Sequence, residues 1–334
     1  MVIYALRLMA LRRYKFHVVG VGVLIQWFKS FFPVCWLPAD HFFAPIPQSV
    51  LDDGRLQQVV ILTVPHAMFV ARLLKRSLGQ LGVQAEIIHQ RPERGFQNCL
   101  HFVIAAQAFR HLPRYYVAYQ MEQCVSNVLN RKKYQRKLRR SVGLFDYSLM
   151  NIEVLKRLGF PESGLWYMPV RPLIERASMP DESRLNDVIF YGASNNLRRQ
   201  QYLRELQRCT PLKVIDGVFG ERLLDELSQA KIVVNIHYYE GALLETTRIY
   251  ECLSRGTLVV SESSADIDEH SELSAIVDFV PVGDVDQMVR RVQYWIENDC
   301  ERQAHLQKQE QLLLQSEHSF TQQLKQALRH YHLI

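Results

Sequence analysis

The stretch GALLETTRIYECLSRGTLVVSE, residues 241–262, places a short helical pattern directly before a β-rich hydrophobic run. Gly256 ends the predicted helix, and TLVVS follows it as a strand. Arg248 and Glu251 lie three residues apart, so they share one face of that helix. A helix packed between two strands leaves little room for two charges. They therefore either form an ion pair at the surface or face a bound molecule.

Alternating strand and helix patterns extend from this stretch in both directions. One series runs from about 59 to 170 and a second from 187 to 281, separated by a polar stretch with two prolines at 171–187. This alternation predicts parallel sheets covered on both faces. We therefore predict an α/β protein with two tandem Rossmann-like domains and a ligand site in the cleft between them. The predicted segments are a basic, apolar N-terminal segment at 1–50, Rossmann-like domains at 51–178 and 179–300, and C-terminal helices at 301–334.

The overall composition fits a globular protein with an anionic partner. The chain has 334 residues, 48% of them hydrophobic, and a net charge of +6. Its six cysteines show no metal-ligand spacing, so we expect reduced thiols in a cytoplasmic protein. Nucleic acid is not an expected partner, because no groove-reading motif accompanies the charge.

Two segments concentrate the positive charge. Residues 1–39 hold five Lys/Arg side chains, several aromatic residues and no acid. They are either a terminal element of the first domain or a peripheral contact with the anionic inner face of a membrane. Residues 131–140 carry seven bases in ten. They form either a solvated helix face or a surface for an anionic lipid or a lipid-diphosphate acceptor.

Two strand ends of the second series carry residue types that bind phosphate. In YGASNNLRRQ (191–200), Gly192 permits a tight turn, Ser194 and Asn195 are N-cap types, and two arginines occupy the first helical turn. The helix dipole opposes cations there, so an anionic ligand is indicated, although a solvated helix face is the alternative. NIHYYEGALLETTRIYE (235–251) adds cap oxygens, free backbone amides and the Arg–Glu pair. The predicted binding residues are Gly192, Ser194, Asn195, Arg198, Arg199, His237, Tyr238, Glu240, Gly241, Thr246, Thr247, Arg248 and Glu251.

This mixture suits a nucleotide-sugar, whose diphosphate needs amides and an arginine and whose ribose diol needs a carboxylate. Residues of about 187–325 resemble the donor-binding half of GT-B glycosyltransferases, in particular the group-one-like domain of CgeB-type proteins. The most specific matching piece is TTRIYECLSRGTLVVSE (246–262). The resemblance implies that Glu251 holds the ribose and that Arg248 faces the phosphates. It also makes 51–178 the acceptor domain and 179–300 the donor domain.

One feature of the family pattern is missing. Many retaining members place two glutamates eight positions apart, but Leu243 stands eight positions before Glu251. Glu245 and Glu240 are possible substitutes, so the sequence leaves the stereochemical outcome open. It also leaves the sugar, the base and the acceptor open.

Three side chains at predicted strand ends of the first domain are candidate catalytic groups. An inverting transfer needs a general base near the acceptor hydroxyl. Glu122 is the first choice, Asp146 the second and His66 the third.

The sequence thus predicts a hexosyltransferase-type glycosyltransferase that uses a nucleotide-sugar donor and a glycan, lipid-linked or protein acceptor. No cofactor or metal is expected. The sequence Asp266–Asp268 spells DxD, but DxD is a metal-binding motif of a different glycosyltransferase fold. The alternatives are a nucleotide-sugar epimerase of the same fold and a non-catalytic nucleotide-sugar-binding protein.

Overall fold

The computed structural model describes residues 43, 46, 50, 51, 56–174, 183–316 and 318–334. The membrane contact predicted for residues 1–39 lies outside these residues, as does most of the N-terminal segment predicted at 1–50. Part of the stretch between the two series is also outside them. Among the described residues, no helix is long and apolar enough to cross a lipid bilayer.

The first series forms a six-stranded parallel sheet with strand order β2-β1-β3-β4-β5-β6. The central strands β3, β4 and β5 are buried along their whole length, which explains their near-continuous apolar sequences. The strands are β1 (Gln58–Leu62), β2 (Gln84–Ile88), β3 (Leu100–Ile104), β4 (Tyr116–Gln120), β5 (Gly143–Asp146) and β6 (Leu165–Tyr167), with helices α1 (Met68–Gln80), α2 (Lys132–Arg139) and α3 (Leu149–Arg157).

The second series forms a five-stranded parallel sheet with strand order β11-β10-β9-β7-β8. Strand β7 lies beside β9, so their carboxyl ends meet at one edge. The elements are β7 (Asn186–Tyr191), α4 (Leu197–Cys209), β8 (Leu212–Ile215), α5 (Glu221–Ser228), β9 (Ala230–Asn235), α6 (Thr246–Leu253), β10 (Leu258–Glu262), β11 (Val277–Val280) and α7 (Val285–Glu297). The predicted architecture of two Rossmann-like domains is confirmed.

Two C-terminal helices, α8 (Asp299–Ser316) and α9 (Ser319–His330), close the chain. Helix α9 returns to the first domain, where Thr321 Oγ1 donates to Ser77 Oγ at 2.9 Å. Beyond it, the carbonyl of Leu333 accepts from the amide of Leu56 at 3.1 Å. The apolar face of α9, including Phe320, is fully buried. The C-terminal helix α9 therefore completes the first domain.

The two domains also touch directly across the cleft. The Gln123 side-chain amide donates to the carbonyl of Leu243 at 3.0 Å and accepts from the amide of Leu243 at 3.1 Å. Arg171 forms an ion pair with Glu272 at 2.8 Å. The Gln123 contact fixes the loops after β4 and β9 opposite each other.

Candidate functional site

The turn after β7 brings the backbone against two guanidinium groups. Gly192 has a φ of +122°, a conformation that strains any residue with a side chain. A Cβ atom at this position would lie 2.9 Å from Arg248 Nη2 and 3.4 Å from Arg199 Nη1. Glycine therefore leaves a small space at the strand end that is bordered by two cations.

Arg248 lies in the first turn of α6, and only one side of its guanidinium group contacts other described residues. Its Nη1 donates to Asn235 Oδ1 at 3.0 Å, and its guanidinium carbon lies 5.1 Å from the centre of the Tyr191 ring. Within the described residues, its other N–H groups have no acceptor. No ion pair joins it to Glu251, so the two residues do not form the intrahelical pair considered from the sequence. A guanidinium has five N–H donors in a fixed fork, and most of this fork is free to bind an anion.

Glu251 faces a pocket between the domains. The pocket is lined by Phe69 and Arg72 from α1 and by Gly220 and Arg255 from the second domain. Tyr191 Oη donates to Glu251 Oε2 at 3.1 Å, which is the one hydrogen bond that this carboxyl group makes within the described residues. Burial raises the pKa of Glu251 to about 7. Its remaining acceptor positions are therefore unused and available to a ligand with hydroxyl groups.

A buried charge cluster lies beneath the turn at Gly192. Arg199 is buried and donates to the carbonyls of Ile236 at 2.9 Å and Ala193 at 3.0 Å. Burial and the nearby Arg248 lower the pKa of Arg199 to about 10, so it still carries its charge at pH 7. The Glu245 carboxylate lies 3.8 Å from its Nη2 atom.

His237 and Glu245 form an ion pair within the same cluster. Their Nδ1 and Oε2 atoms are 2.6 Å apart, and His237 Nε2 lies 2.8 Å from the carbonyl of Ser263. A carbonyl only accepts, so Nε2 carries a proton, and Nδ1 carries a second one that it donates to the carboxylate. Burial opposes this charge, but Glu245 outweighs it and raises the pKa of His237. Burial likewise disfavours the Glu245 carboxylate, but His237 and the arginines hold its pKa at about 2.

These groups leave positive charge in excess at the strand ends. Arg199, Arg248 and His237 supply three positive charges, and Glu245 supplies one negative charge, so two positive charges are uncompensated. A buried charge is costly unless it has a partner. The cluster is therefore suited to a bound dianion, such as a diphosphate, placed against Gly192.

Arg198 points in a different direction from Arg199. Both of its terminal nitrogens contact the fully buried Glu262, with Nη1 at 2.6 Å from Oε2. Glu262 also accepts from the amides of His237 and Gly283 at 2.9 and 3.0 Å. This ion pair anchors α4 to the end of β10, which favours a structural role for Arg198 over the predicted phosphate contact.

The prediction that Ser194 or Asn195 caps α4 is wrong. Asn196 is the N-cap, and its side chain accepts from the amide of Arg199 at 3.2 Å. Ser194 instead donates from its amide and hydroxyl to Asp216 at 3.0 and 3.1 Å. Asn195 is exposed. These two residues lie at the outer rim of the turn.

The loop from β9 to α6 carries the remaining predicted residues. Tyr238 is exposed with its ring 5.2 Å from the Arg199 guanidinium, and Glu240 is exposed beside it. Gly241 turns the loop with a φ of +73°. Thr246 is buried, and its hydroxyl has no partner among the described residues. The amides of Thr247 and Arg248 likewise have no backbone acceptor among the described residues, so the start of α6 offers free donors.

The three catalytic candidates have different surroundings. Asp146 is fully buried and accepts from Gln120 at 2.8 Å and from Asn151 at 3.0 Å. Burial raises the pKa of Asp146 to about 8. This environment favours a structural role for Asp146, because an acceptor hydroxyl has no access to it.

Glu122 and His66 lie together at the cleft. Gln107 Nε2 donates to Glu122 Oε1 at 2.6 Å. The Glu122 side chain is half-buried. Burial lowers the pKa of His66, and the neighbouring Glu122 charge opposes this effect. The His66 ring lies 6.0 Å from the ring of Phe219 in the second domain. Glu122 therefore stands where an acceptor could reach it.

One cluster of described residues has the donor set of a metal site. Ligand atoms of Asp266, Glu269 and His270 lie within 4.8 Å of one another. Asp266 Oδ1 already accepts from the amide of Leu244 at 2.8 Å and from Ser264 Oγ at 2.7 Å. Asp268, the other acid of the DxD sequence, is exposed and outside the cluster. The absence of a metal requirement stays a prediction.

Comparison with known proteins agrees with this geometry. Residues 173–329 match the family model described as glycosyl transferase-like. This match covers the second domain and the C-terminal helices, and the chain as a whole has the GT-B fold. No curated protein sequence matches it. The resemblance predicted from the sequence is thereby confirmed for the glycosyltransferase-like second domain.

Solved structures with the same fold cover most of this chain. HepE from Anabaena, in complex with UDP and glucose, has a TM-score of 0.59 at 11% identity and covers 82% of this chain and 100% of its own. BGT of phage T4, in complex with UDP and Mn²⁺, has a TM-score of 0.53 at 13% identity, with 82% and 99% covered. Sucrose-phosphate synthase from Thermosynechococcus elongatus has a TM-score of 0.51 at 10% identity, with 82% and 98% covered. At these identities the likeness shows the fold alone.

Proposed function

We propose that the protein transfers a sugar from a nucleotide-sugar donor to a glycan, lipid-linked or protein acceptor, without a metal ion. The observation that carries this proposal is the uncompensated positive charge beside Gly192, formed by Arg199, Arg248 and His237 against Glu245. A nucleoside diphosphate supplies the missing negative charge. HepE and phage T4 BGT, which have this fold, were solved in complex with UDP, which makes UDP the first nucleotide to test.

In this proposal, the second domain binds the donor through two contacts. The diphosphate lies against the Gly192 turn, where the Arg248 fork and the free amides at the start of α6 donate to it. The ribose hydroxyls donate to Glu251 in the neighbouring pocket. Because negative charge grows on the diphosphate as the sugar leaves, Arg248 stabilises the transition state more than the ground state.

The first domain supplies the base in this proposal. Glu122 accepts the proton of the attacking hydroxyl, and its charge acts on the neighbouring His66. Gln123, the next residue, is bonded to the backbone of Leu243 in the donor-side loop. This contact keeps the proposed base in a fixed position relative to the donor.

The test is nucleotide binding followed by product analysis. Calorimetry with UDP and other nucleoside diphosphates should show binding that Arg248→Ala weakens about tenfold or more. Arg208→Ala is the matched control, because Arg208 is an exposed arginine paired with Glu205 at the far end of α4. Equal binding by the Arg248→Ala variant would refute the donor site.

Product analysis separates the three functions. A transferase releases nucleoside diphosphate faster when acceptor is added. An epimerase converts the nucleotide-sugar without acceptor, and a binding protein leaves it unchanged. Either of the last two results would contradict transfer.

We also propose that residues 1–39 attach the protein to the cytoplasmic face of an anionic membrane, on the basis of their acid-free, aromatic-rich sequence. Vesicle flotation should show binding that requires phosphatidylglycerol and is lost when residues 1–39 are deleted. Equal recovery with neutral vesicles would contradict this attachment.

A further inference from the structure

We infer that the acceptor carries phosphate groups and that these bind to five exposed bases at and next to helix α2, which follows the strand end that carries Glu122. We call this set the basic surface: Arg110, Arg131, Lys132, Lys133 and Arg136. The inference rests on the proposed transferase function and adds the chemical class of the acceptor to it.

The charge on this part of the chain is one-sided. Residues 101–142 contain nine Lys/Arg side chains and a single acid, which is Glu122 itself. Within the described residues, no member of the basic surface forms an ion pair. Burial lowers the pKa of Lys137, and the like charge of Lys133 lowers it further. The surface therefore lacks the interspersed acids that neutralise an ordinary solvated helix face.

The bases of α2 divide into two groups with different tasks. Lys137 Nζ donates to the carbonyl of Ala106 at 3.0 Å, and Arg139 Nη2 donates to the carbonyl of Leu158 at 2.8 Å. Arg139 also packs over the Phe160 ring at 4.5 Å. These inward bases hold the fold together. The outward bases have no such contact, so structure alone does not explain them.

Three of the outward bases also stand where the helix disfavours them. Arg131 is the N-cap of α2, and Lys132 and Lys133 follow it in a first turn that contains no acid. The positive end of the helix dipole repels cations in this turn. A bound anion would offset that repulsion and satisfy the first amides of the helix at the same time.

The basic surface is attached to the strand end that carries Glu122. Tyr134 Oη of α2 donates to Gln120 Oε1 at 3.3 Å, two residues before Glu122. The segment held by Lys137 also contains Gln107, whose amide donates to Glu122 at 2.6 Å. Helix α2 is therefore anchored to the edge of the sheet at which an acceptor hydroxyl would reach Glu122.

The chemistry of the surface favours phosphate groups on the acceptor over a membrane. The large apolar side chains of α2, Tyr134 and Leu138, are buried, so the helix presents no apolar group that could insert into a bilayer. Lys and Arg side chains grouped around a helix N-terminus are instead typical phosphate ligands.

Calorimetric titration of the full chain with inorganic tripolyphosphate tests the inference. The wild-type protein should show two sites, one at the donor cluster and one at the basic surface. The variant Lys132→Glu/Lys133→Glu/Arg136→Glu should lose one site, or bind there at least about tenfold more weakly, and the wild-type affinity should fall steeply with added salt. The matched control Lys308→Glu/Lys325→Glu/Arg329→Glu changes the net charge equally at exposed positions of α8 and α9 and should keep both sites.

Arg248→Ala separates the two claims. It should remove the donor site and keep the basic-surface site; if it removes neither, the proposed donor site fails while the basic surface stands. A triple α2 variant that melts like the wild type and keeps both sites would overturn the inference. Vesicles of phosphatidylcholine with phosphatidylglycerol form the second arm. Vesicle binding lost in the α2 variant, without loss of a tripolyphosphate site, would assign the surface to a membrane and also overturn the inference.

Discussion

Replacing Glu251 by glutamine should stabilise the protein and weaken donor binding together. Glutamine keeps the size of the side chain and still accepts a hydrogen bond from Tyr191. It removes a carboxyl group whose ionisation is disfavoured by burial in the pocket. In the proposed complex, the same carboxylate accepts hydrogen bonds from the ribose. Stability and function should therefore change in opposite directions.

The magnitude follows from the pKa of Glu251, which burial raises from 4.5 to about 7. A carboxyl group whose pKa is higher in the folded state destabilises the fold as pH rises through the window between the two values. At pH 8 the wild-type protein should lose about 3 kcal/mol of unfolding free energy from this group, and at pH 5 about 1 kcal/mol. These are upper values, because the side chain is half-buried and not fully enclosed.

Urea unfolding at pH 5 and pH 8 measures the effect. The Glu251→Gln variant should have a larger free energy of unfolding than the wild type. This difference should be about 1–2 kcal/mol larger at pH 8 than at pH 5. Its donor affinity should fall about 10–150-fold, through loss of charge-assisted hydrogen bonds. Glu310→Gln, an exposed glutamate on α8, should change neither quantity. A stability difference that does not depend on pH, or an unchanged affinity, would refute the reasoning.

Three further outcomes follow from the site. Donor affinity of the wild-type protein should rise about tenfold from pH 6 to pH 8, because the ribose binds the ionised form of Glu251. Equal affinities at the two pH values, measured by calorimetry, would contradict this. Arg248→Ala should lower turnover by about tenfold or more in addition to affinity, and steady-state kinetics with unchanged turnover would exclude a transition-state role. Asp146→Asn should cost about 1–3 kcal/mol in urea unfolding, because its new amide faces the Gln120 donor, with turnover per folded molecule unchanged. A loss of turnover there would return Asp146 to the catalytic candidates.

The sequence predicted those features that depend on local periodicity. Strand and helix alternation predicted the two parallel sheets, and the spacing of Arg248 and Glu251 predicted their shared helix face. Gly192 was recognisable because a tight turn after a strand calls for glycine. Each of these conclusions needed only neighbouring residues.

The features that were missed depend on which distant strand ends meet. Arg198 and Arg199 look equivalent in the sequence, but adjacent helical residues point about 100° apart. One therefore meets Glu262 at the end of β10, and the other lies beneath Gly192. The contact between Gln123 and Leu243 joins residues from two domains, and no local pattern marks it.

A crystal structure of the chain with bound UDP tests the central claim most directly. The account predicts diphosphate oxygens within about 3 Å of the Arg248 guanidinium and beside the Gly192 backbone, with ribose hydroxyls donating to Glu251. UDP bound elsewhere, with Arg248 and Glu251 free of contact to it, would contradict the account.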